Sequence, residues 1–166
     1  VVGIDASEKN IEVARAHARE SGLEIDYRCM AAEDLASSVI RHPSSAYDIV
    51  LALEIVEHVA DVPLFVSSCA KLVKPGGLLM MSTLNRTLKS YALAIVGAEY
   101  VLNWLPRGTH DWQKFLKPSE LCRSLQQNGI TISAMTGLAL NPISWKWELK
   151  PRDLSVNYMV AGKKHG

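Results

Sequence analysis

The stretch Tyr47–His58, YDIVLALEIVEH, decides how the chain is read. Its first seven residues are apolar apart from Asp48, with β-branched Ile49 and Val50 at the centre. That is the composition of a strand buried on both faces of a parallel sheet. Two carboxylates and an imidazole follow at once, in Glu54, Glu57 and His58. In an open α/β sheet the ligand crevice lies outside the carboxyl ends of the strands, so these three residues are the first candidates for chemistry.

Working back from this strand, Val1–Ile4 reads as another buried strand with no polar lead-in, closed by Asp5. The chain is therefore expected to be cut upstream of its first βα unit. Ser7 is placed to cap a helix over Glu8–Glu20 whose Ile11, Ala14 and Ala18 share one face, and Gly22 is a natural exit. Leu23–Cys29 alternates as a second strand, after which Ala31, Ala32, Glu33 and Asp34 open a short helix towards Ile40. An acidic residue at a strand end has two readings, which spacing leaves level. Asp5 either accepts hydrogen bonds from ribose hydroxyls, a task suited to two carboxylate oxygens, or simply caps the helix that follows.

Working forward, Asp61 caps a helix over Val62–Leu72 with Pro63 in its first turn, where a missing N–H costs nothing. KPGG at 74–77 turns the chain into a strand over Leu78–Thr83. Three βα units in series make a mostly parallel, doubly wound α/β sheet with crossover helices the economical architecture. Leu88–Leu105 can be helical but is more apolar than a crossover helix against one sheet requires, with Arg86 and Lys89 near one end and Arg107 beyond the other. It is either a helix buried between sheet and cover or an inserted cap facing an apolar substrate or bilayer surface. Pro118 then starts a helix running over Glu120–Gln127, Ile130–Met135 is a strand, Leu138–Trp147 reads as irregular, and Leu154–Gly162 is a final strand. A last pair of strands after a parallel series is expected to be antiparallel and at one sheet edge.

Composition narrows the classes. At 166 residues and 48% apolar content, one domain is expected, and two full domains are not. Eighteen Lys and Arg against 17 Asp and Glu leave a charge of +1, so no global field draws nucleic acid or an anionic membrane, and any membrane contact is local. Cys29, Cys69 and Cys122 have neither CxxC nor zinc spacing and read as ordinary thiols in a reducing compartment.

Glu54, Glu57 and His58 stand in i, i+3 and i, i+4 relations, which a helical turn would bring together. Two carboxylates and an imidazole can hold a divalent cation, with magnesium favoured by the hard oxygens; without metal, Glu57 or His58 could take a proton as general base. The alternative is an acidic helix start beside a packed histidine. His110, Asp111 and Trp112 form a second polar patch, either closing over substrate or making a structural loop. Asn85 after its strand either binds ligand or makes an Asx turn. Arg86 and Arg107 are candidates for a substrate carboxylate, against the plainer reading of solvated charge.

The residues VVGIDAS at 1–7, ALEIVEHV at 52–59 and LVKPGG at 72–77 resemble those of the class I S-adenosylmethionine-dependent methyltransferases. STLNRTLKSY at 82–91, VGAEYVLNWLPRGTHDWQKFLKP at 96–118, LNP at 140–142 and SVNYMV at 155–160 are similar to the ubiquinone-biosynthesis O-methyltransferases within that class. The resemblance implies a Rossmann-like fold in a single domain over 1–166, with residues 86–117 as an inserted apolar cap facing substrate and membrane. It implies transfer of a methyl group from S-adenosylmethionine to a ring hydroxyl of a polyprenylated catechol. Asp5 and Ala6 would lie on the adenosyl ribose, Ala32 and Glu33 near adenine, and Leu53 against the cofactor. Glu54, Glu57 and His58 match a cation-binding set, with magnesium the implied ion and Glu57 and His58 as catalytic residues; Asn85, His110 and Trp112 would meet substrate. The resemblance further implies a peripheral protein on an anionic lipid surface, at the cytoplasmic face of a bacterial inner membrane or the matrix side of a mitochondrial one, beside other ubiquinone-biosynthesis proteins.

The family's glycine-rich loop and its strand are not in this chain, so the isolated chain is expected to hold cofactor poorly while the full protein is active. Two rival functions stand beside the methyltransferase. A nicotinamide-dependent oxidoreductase also uses a strand-end acid on ribose, and a noncatalytic membrane-associated scaffold or inactive fragment would suit the apolar segment.

Overall fold

The computed structural model of the chain describes residues 1–93, 95, 111–141 and 144–166, which form two compact units, Val1–Ala46 and Tyr47–Gly166. In the first, strands β1 (Val2–Asp5) and β2 (Asp26–Cys29) pair in parallel, from Val2 opposite Asp26 to Asp5 opposite Cys29. Helix α1 (Glu8–Glu20) connects them, capped by Ser7, whose Oγ accepts from the Asn10 N–H, and anchored by buried Ile11 and Ala18. It closes with Gly22 at a φ of 65°, the Gly22 N–H donating to Arg19 O and the Leu23 N–H to Ala18 O at 2.8 Å. This paired closure spends the Leu23 amide on the helix end, so β2 begins at Asp26 and not at Leu23 as its alternation predicts. Helix α2 (Ala32–Arg41) follows, with Ala32, Leu35, Ala36 and Val39 buried at the spacing of one helical face.

The second unit is built on a five-stranded sheet in the order β3-β4-β7-β5-β6. Its strands are β3 (Tyr47–Leu53), β4 (Val73–Leu84), β5 (Ile130–Asn141), β6 (Lys146–Lys150) and β7 (Asn157–Lys164). Strands β3 and β4 run parallel, while β4 with β7, β7 with β5 and β5 with β6 are antiparallel. The α/β Rossmann-like class is as expected, but the sheet is mixed and not mostly parallel. Strands β3, β4 and β5 run in one direction, but β7 inserts between β4 and β5 against both and β6 returns against β5, so only β3 and β4 pair in parallel in this sheet.

That crossover is α3 (Val62–Leu72), where Asp61 Oδ1 accepts from the Leu64 N–H at 2.9 Å and Pro63 occupies the first turn, as the sequence predicts. Helix α5 (Pro118–Gln127) packs beside it on the same face of the sheet. Ala52, Leu79, Met81, Thr83, Tyr158 and Val160 point into this layer and are buried. Tyr158 donates its hydroxyl to Leu116 O at 3.1 Å, and Lys164 Nζ donates to Ala70 O and Val73 O, closing the end of α3. Burial raises the Tyr158 phenol and lowers the Lys164 ammonium. On the opposite face of β3, Ile49, Leu51 and Leu53 are exposed.

Two expectations need correction here. Leu138–Trp147 is not irregular: β5 continues to Asn141, and Lys146–Lys150 returns against it, with Leu140 opposite Trp147 and Leu138 opposite Leu149. Apolar residues alternate on both arms, which is hairpin patterning that Asn141 and Pro142 obscured. The final strand β7 also lies inside the sheet, between β4 and β5, leaving β6 at the edge. Of the apolar segment at 88–105, only the first turn, α4 (Leu88–Ser90), and the residues to Leu93 and Ile95 fall among the described residues. No helix among the described residues is long and apolar enough to cross a membrane.

Candidate functional site

In the first unit the parallel pairing of β1 and β2 puts their carboxyl ends at one edge, where Met30 N–H donates to Asp5 O at 3.0 Å and Cys29 Sγ lies 3.5 Å from Ala6 O. Asp5 is half-buried there. Its Oδ1 accepts from the Ser7 N–H at 2.7 Å, and Asn10 Nδ2 donates to both oxygens at 3.2 Å. The side chain therefore braces the start of α1, as the plainer reading had it, and still has lone pairs to offer, because two carboxylate oxygens accept about four hydrogen bonds. Asn10, which orients the carboxylate, was not singled out by the sequence. Its signal was its place in the first turn of α1, five residues after Asp5.

Ala32 and Glu33 start α2 just beyond β2, and Ala31 at the N-cap offers no side-chain acceptor to the first-turn amides. Ala32 is buried, so only its backbone faces the edge, whereas Glu33 is half-buried. Asp5, Ala6, Ala32 and Glu33 are thus brought to one carboxyl edge, and an acid plus open amides is a donor set that fits the ribose and adenine half of an adenosyl cofactor.

In the second unit Leu53 ends β3 exposed, with Ser82 of β4 opposite it. Glu54 follows at a φ of 54°, a left-handed conformation unusual for a residue with a side chain. Its N–H reaches Ser82 O and Oγ at 3.1 Å, while Ser82 Oγ donates to Glu54 Oε1 at 2.5 Å. The chain then makes a 3-10 turn over Val56–His58. With three residues per turn, successive side chains diverge by about 120°. Glu57 accordingly points inward at 3% exposure and His58 outward.

Thr83 Oγ1 donates to Glu57 Oε2 at 2.8 Å, while Glu57 Oε1 is buried without a hydrogen-bond partner. Burial holds the Glu57 carboxyl above the usual glutamate range, against the lowering effect of its own backbone N–H and of Thr83. Ser82 and Thr83 were missed in the sequence. Two hydroxyls closing an apolar strand were the available signal, and the β3–β4 register makes them partners of the two glutamates.

The expected cation set is not assembled. Among the described residues no three of His, Cys, Asp and Glu are grouped to hold a metal ion. The i, i+3 and i, i+4 argument assumed an α-helix after Leu53. The left-handed Glu54 and the 3-10 turn instead send Glu54 to Ser82, Glu57 to Thr83 and His58 outward, so the donors do not converge on one point.

Asn85 is buried, its N–H bonded to Val156 O at 2.7 Å and its amide donating to Leu154 O at 2.8 Å. Trp112 packs against Leu84, Ile95 and Phe115, donates Nε1–H to Thr87 O at 3.1 Å and meets Tyr91 edge-on at 6.2 Å. Both residues tie the connection after β4 to the sheet. Arg86 is paired with Glu120, which answers its charge within the fold. His110 and Arg107 lie outside the described residues.

The family model described as "Methyltransferase domain" matches residues 1–81. A ubiquinone biosynthesis O-methyltransferase of Cereibacter sphaeroides is 53% identical over 161 residues, covering 97% of this chain and 63% of its own length. One from Dinoroseobacter shibae is 54% identical over the same shares. The chain is similar to these ubiquinone biosynthesis O-methyltransferases over nearly all of its own length. It spans under two thirds of the length of these curated relatives. Among solved structures, a SAM-dependent methyltransferase from Methanosarcina mazei aligns at a TM-score of 0.65 and 17% identity, over 99% of this chain and 82% of its own. A [4+2]-cyclase aligns equally well, at a TM-score of 0.65 and 14% identity over 99% of this chain and 66% of its own. These two share the class I methyltransferase fold, and the second illustrates that such a fold alone does not name a reaction.

Proposed function

We propose that the protein carrying this chain transfers a methyl group from S-adenosylmethionine to a catechol-type hydroxyl of a polyprenylated ubiquinone precursor. The observation that carries this reading is 53% identity with a ubiquinone biosynthesis O-methyltransferase across 97% of the chain. When bound, the cofactor supplies an electrophilic sulfonium methyl. Asp5 accepts from the ribose hydroxyls with the lone pairs that Ser7 and Asn10 leave, Ala6, Ala32 and Glu33 border the adenosyl group, and Leu53 offers an apolar wall. His58, outward on its turn, takes the proton from the attacking hydroxyl, and Glu57 holds that turn through Thr83. Asn85, His110 and Trp112 border the substrate. Most of the rate gain comes from placing oxygen, carbon and sulfur in line. A divalent cation such as magnesium on Glu54, Glu57 and His58 is the competing way to ionise the hydroxyl; because these donors diverge, no step is assigned to it.

The segment 86–117 shelters the isoprenoid tail in this reading, and the protein is peripheral on an anionic lipid surface. That surface is the cytoplasmic face of a bacterial inner membrane, or the matrix side of a mitochondrial one, beside other ubiquinone-biosynthesis proteins. Labelled-methyl transfer to a polyprenyl catechol by the full-length protein tests the proposal. Turnover is expected, and Asp5→Asn should raise the KM for cofactor about tenfold by replacing one acceptor with a donor. No transfer to the catechol would overturn the activity. Turnover lost on chelation and restored by magnesium would replace the His58 assignment with the cation.

A further inference from the structure

The hairpin of β5 and β6 carries an apolar surface that the proposed chemistry does not use. Trp145, Trp147 and Leu149 are 65%, 64% and 63% exposed. Trp147 and Leu149 alternate along β6 onto one face, opposite Leu140 and Leu138 of β5. The tip also overhangs the sheet, because β7 begins with Asn157 opposite Leu138, leaving residues 139–141 paired only with β6. Trp145 sits at a φ of 53°, where glycine or asparagine is the usual occupant, with its N–H donating to Asn141 O at 2.9 Å. The turn thus accepts a strained backbone at a bulky residue whose indole lies largely in solvent.

The charges around this stripe are not balanced. Glu148, on the other face of β6, is held by Lys150 at 2.5 Å and by Asn141 at 2.7 Å, and Asp153 is held by Lys89 at 3.0 Å. Both carboxylates of the hairpin are therefore answered by its own lysines or by α4. Lys146, at the tip on the same face as Glu148, and Arg152, beyond the end of β6, have no carboxylate partner among the described residues, so both must reach a bound surface around the edge of the stripe.

We propose that the β5–β6 hairpin docks on an anionic lipid bilayer, with Trp145, Trp147 and Leu149 in the headgroup boundary and Lys146 and Arg152 on lipid phosphates. Tryptophan suits that boundary because its body is apolar and its N–H still finds a polar partner. Surplus cations select an anionic surface over a second copy, which would bring the same cations to the contact. Lysines at both ends of an edge strand also oppose strand pairing between copies. The Leu138–Leu149 pair has no use in stacking on nucleic-acid bases. The inference deepens the membrane-peripheral reading above, resting on it for the lipid class, and adds a contact distinct from residues 86–117.

Flotation of the full-length protein with phosphatidylglycerol-containing vesicles, against phosphatidylcholine alone, tests it with residues 86–117 left intact throughout. Trp147→Thr with Leu149→Thr, exposed positions where threonine suits a strand, should lower partitioning about tenfold. Lys146→Glu with Arg152→Glu should lower it about tenfold on the anionic vesicles and leave phosphatidylcholine binding unchanged. Equal flotation of parent and both variants would overturn the hairpin assignment while leaving the membrane reading standing. A parent that methylates substrate but never floats would overturn both membrane statements and spare the reaction. A dimer in sedimentation that Trp147→Thr dissociates, with vesicle binding unaffected, would make a second copy the occupant and overturn the proposal.

Discussion

Gly137→Ala is expected to destabilise the second unit by about 3 kcal/mol, enough to lower its melting temperature by on the order of 10 °C. Gly137 lies buried in β5, paired with Lys150 on one side and Tyr158 on the other. A methyl group there would stand 1.7 Å from Asp153 O, 2.7 Å from Asp153 C and 3.0 Å from Lys150 O. These are backbone atoms, so no rotamer change relieves the overlap, and the turn that Asp153 N–H closes on Lys150 O must move as a body. That turn also carries Asp153, whose carboxyl the Ser155 hydroxyl, Lys89 and the Ser155 N–H hold down at about 2. Displacing it strips α4 of its ion pair as well. The control is Gly22→Ala, where nothing lies within 4 Å and only the positive φ of 65° is at stake, for which about 1 kcal/mol is expected. Thermal melts of the two variants separate crowding from backbone preference, and equal shifts would show that the crossing over Gly137 is loose.

The elements legible in the sequence were those whose signals are local. Ser7 and Asp61 cap their helices, and Leu72 ends α3 where the KPGG run predicts. What escaped was set by partners distant in sequence. No spacing rule within 138–150 could announce that two arms separated by Asn141 and Pro142 pair with each other, nor that β7 would insert between β4 and β5. The same limit governs the site. Residue types at 54, 57 and 58 pointed to chemistry, but their directions depend on a left-handed Glu54 stabilised by Ser82, a residue 28 positions away. Asp5 was easier, because the atoms that fix it, Ser7 N and Asn10 Nδ2, belong to the next helical turn.

Glu57→Gln should leave stability nearly unchanged near pH 4 and raise it progressively towards neutrality, reaching about 1–3 kcal/mol at pH 7. The sign follows from burial. Glu57 is held above its unfolded value, so the fold favours the protonated acid; its contribution is fully present below the unfolded pKa of about 4.3 and is lost as pH rises through the higher folded value. Above that window a carboxylate is buried with Oε2 held by Thr83 and Oε1 without a partner. Glutamine keeps an oxygen for Thr83 Oγ1–H and never ionises, which removes the pH-dependent loss. Asp26 and Asp153 have the opposite tendency, being lowered by Arg28 and by Ser155 with Lys89, and lose stability as pH falls. They act equally in parent and variant and cancel from the difference. Denaturant midpoints of both proteins between pH 4 and 7 therefore isolate this one carboxyl. A difference that stays flat across the range would mean that Glu57 titrates normally, and that the inward 3-10 turn opens readily enough to wet it.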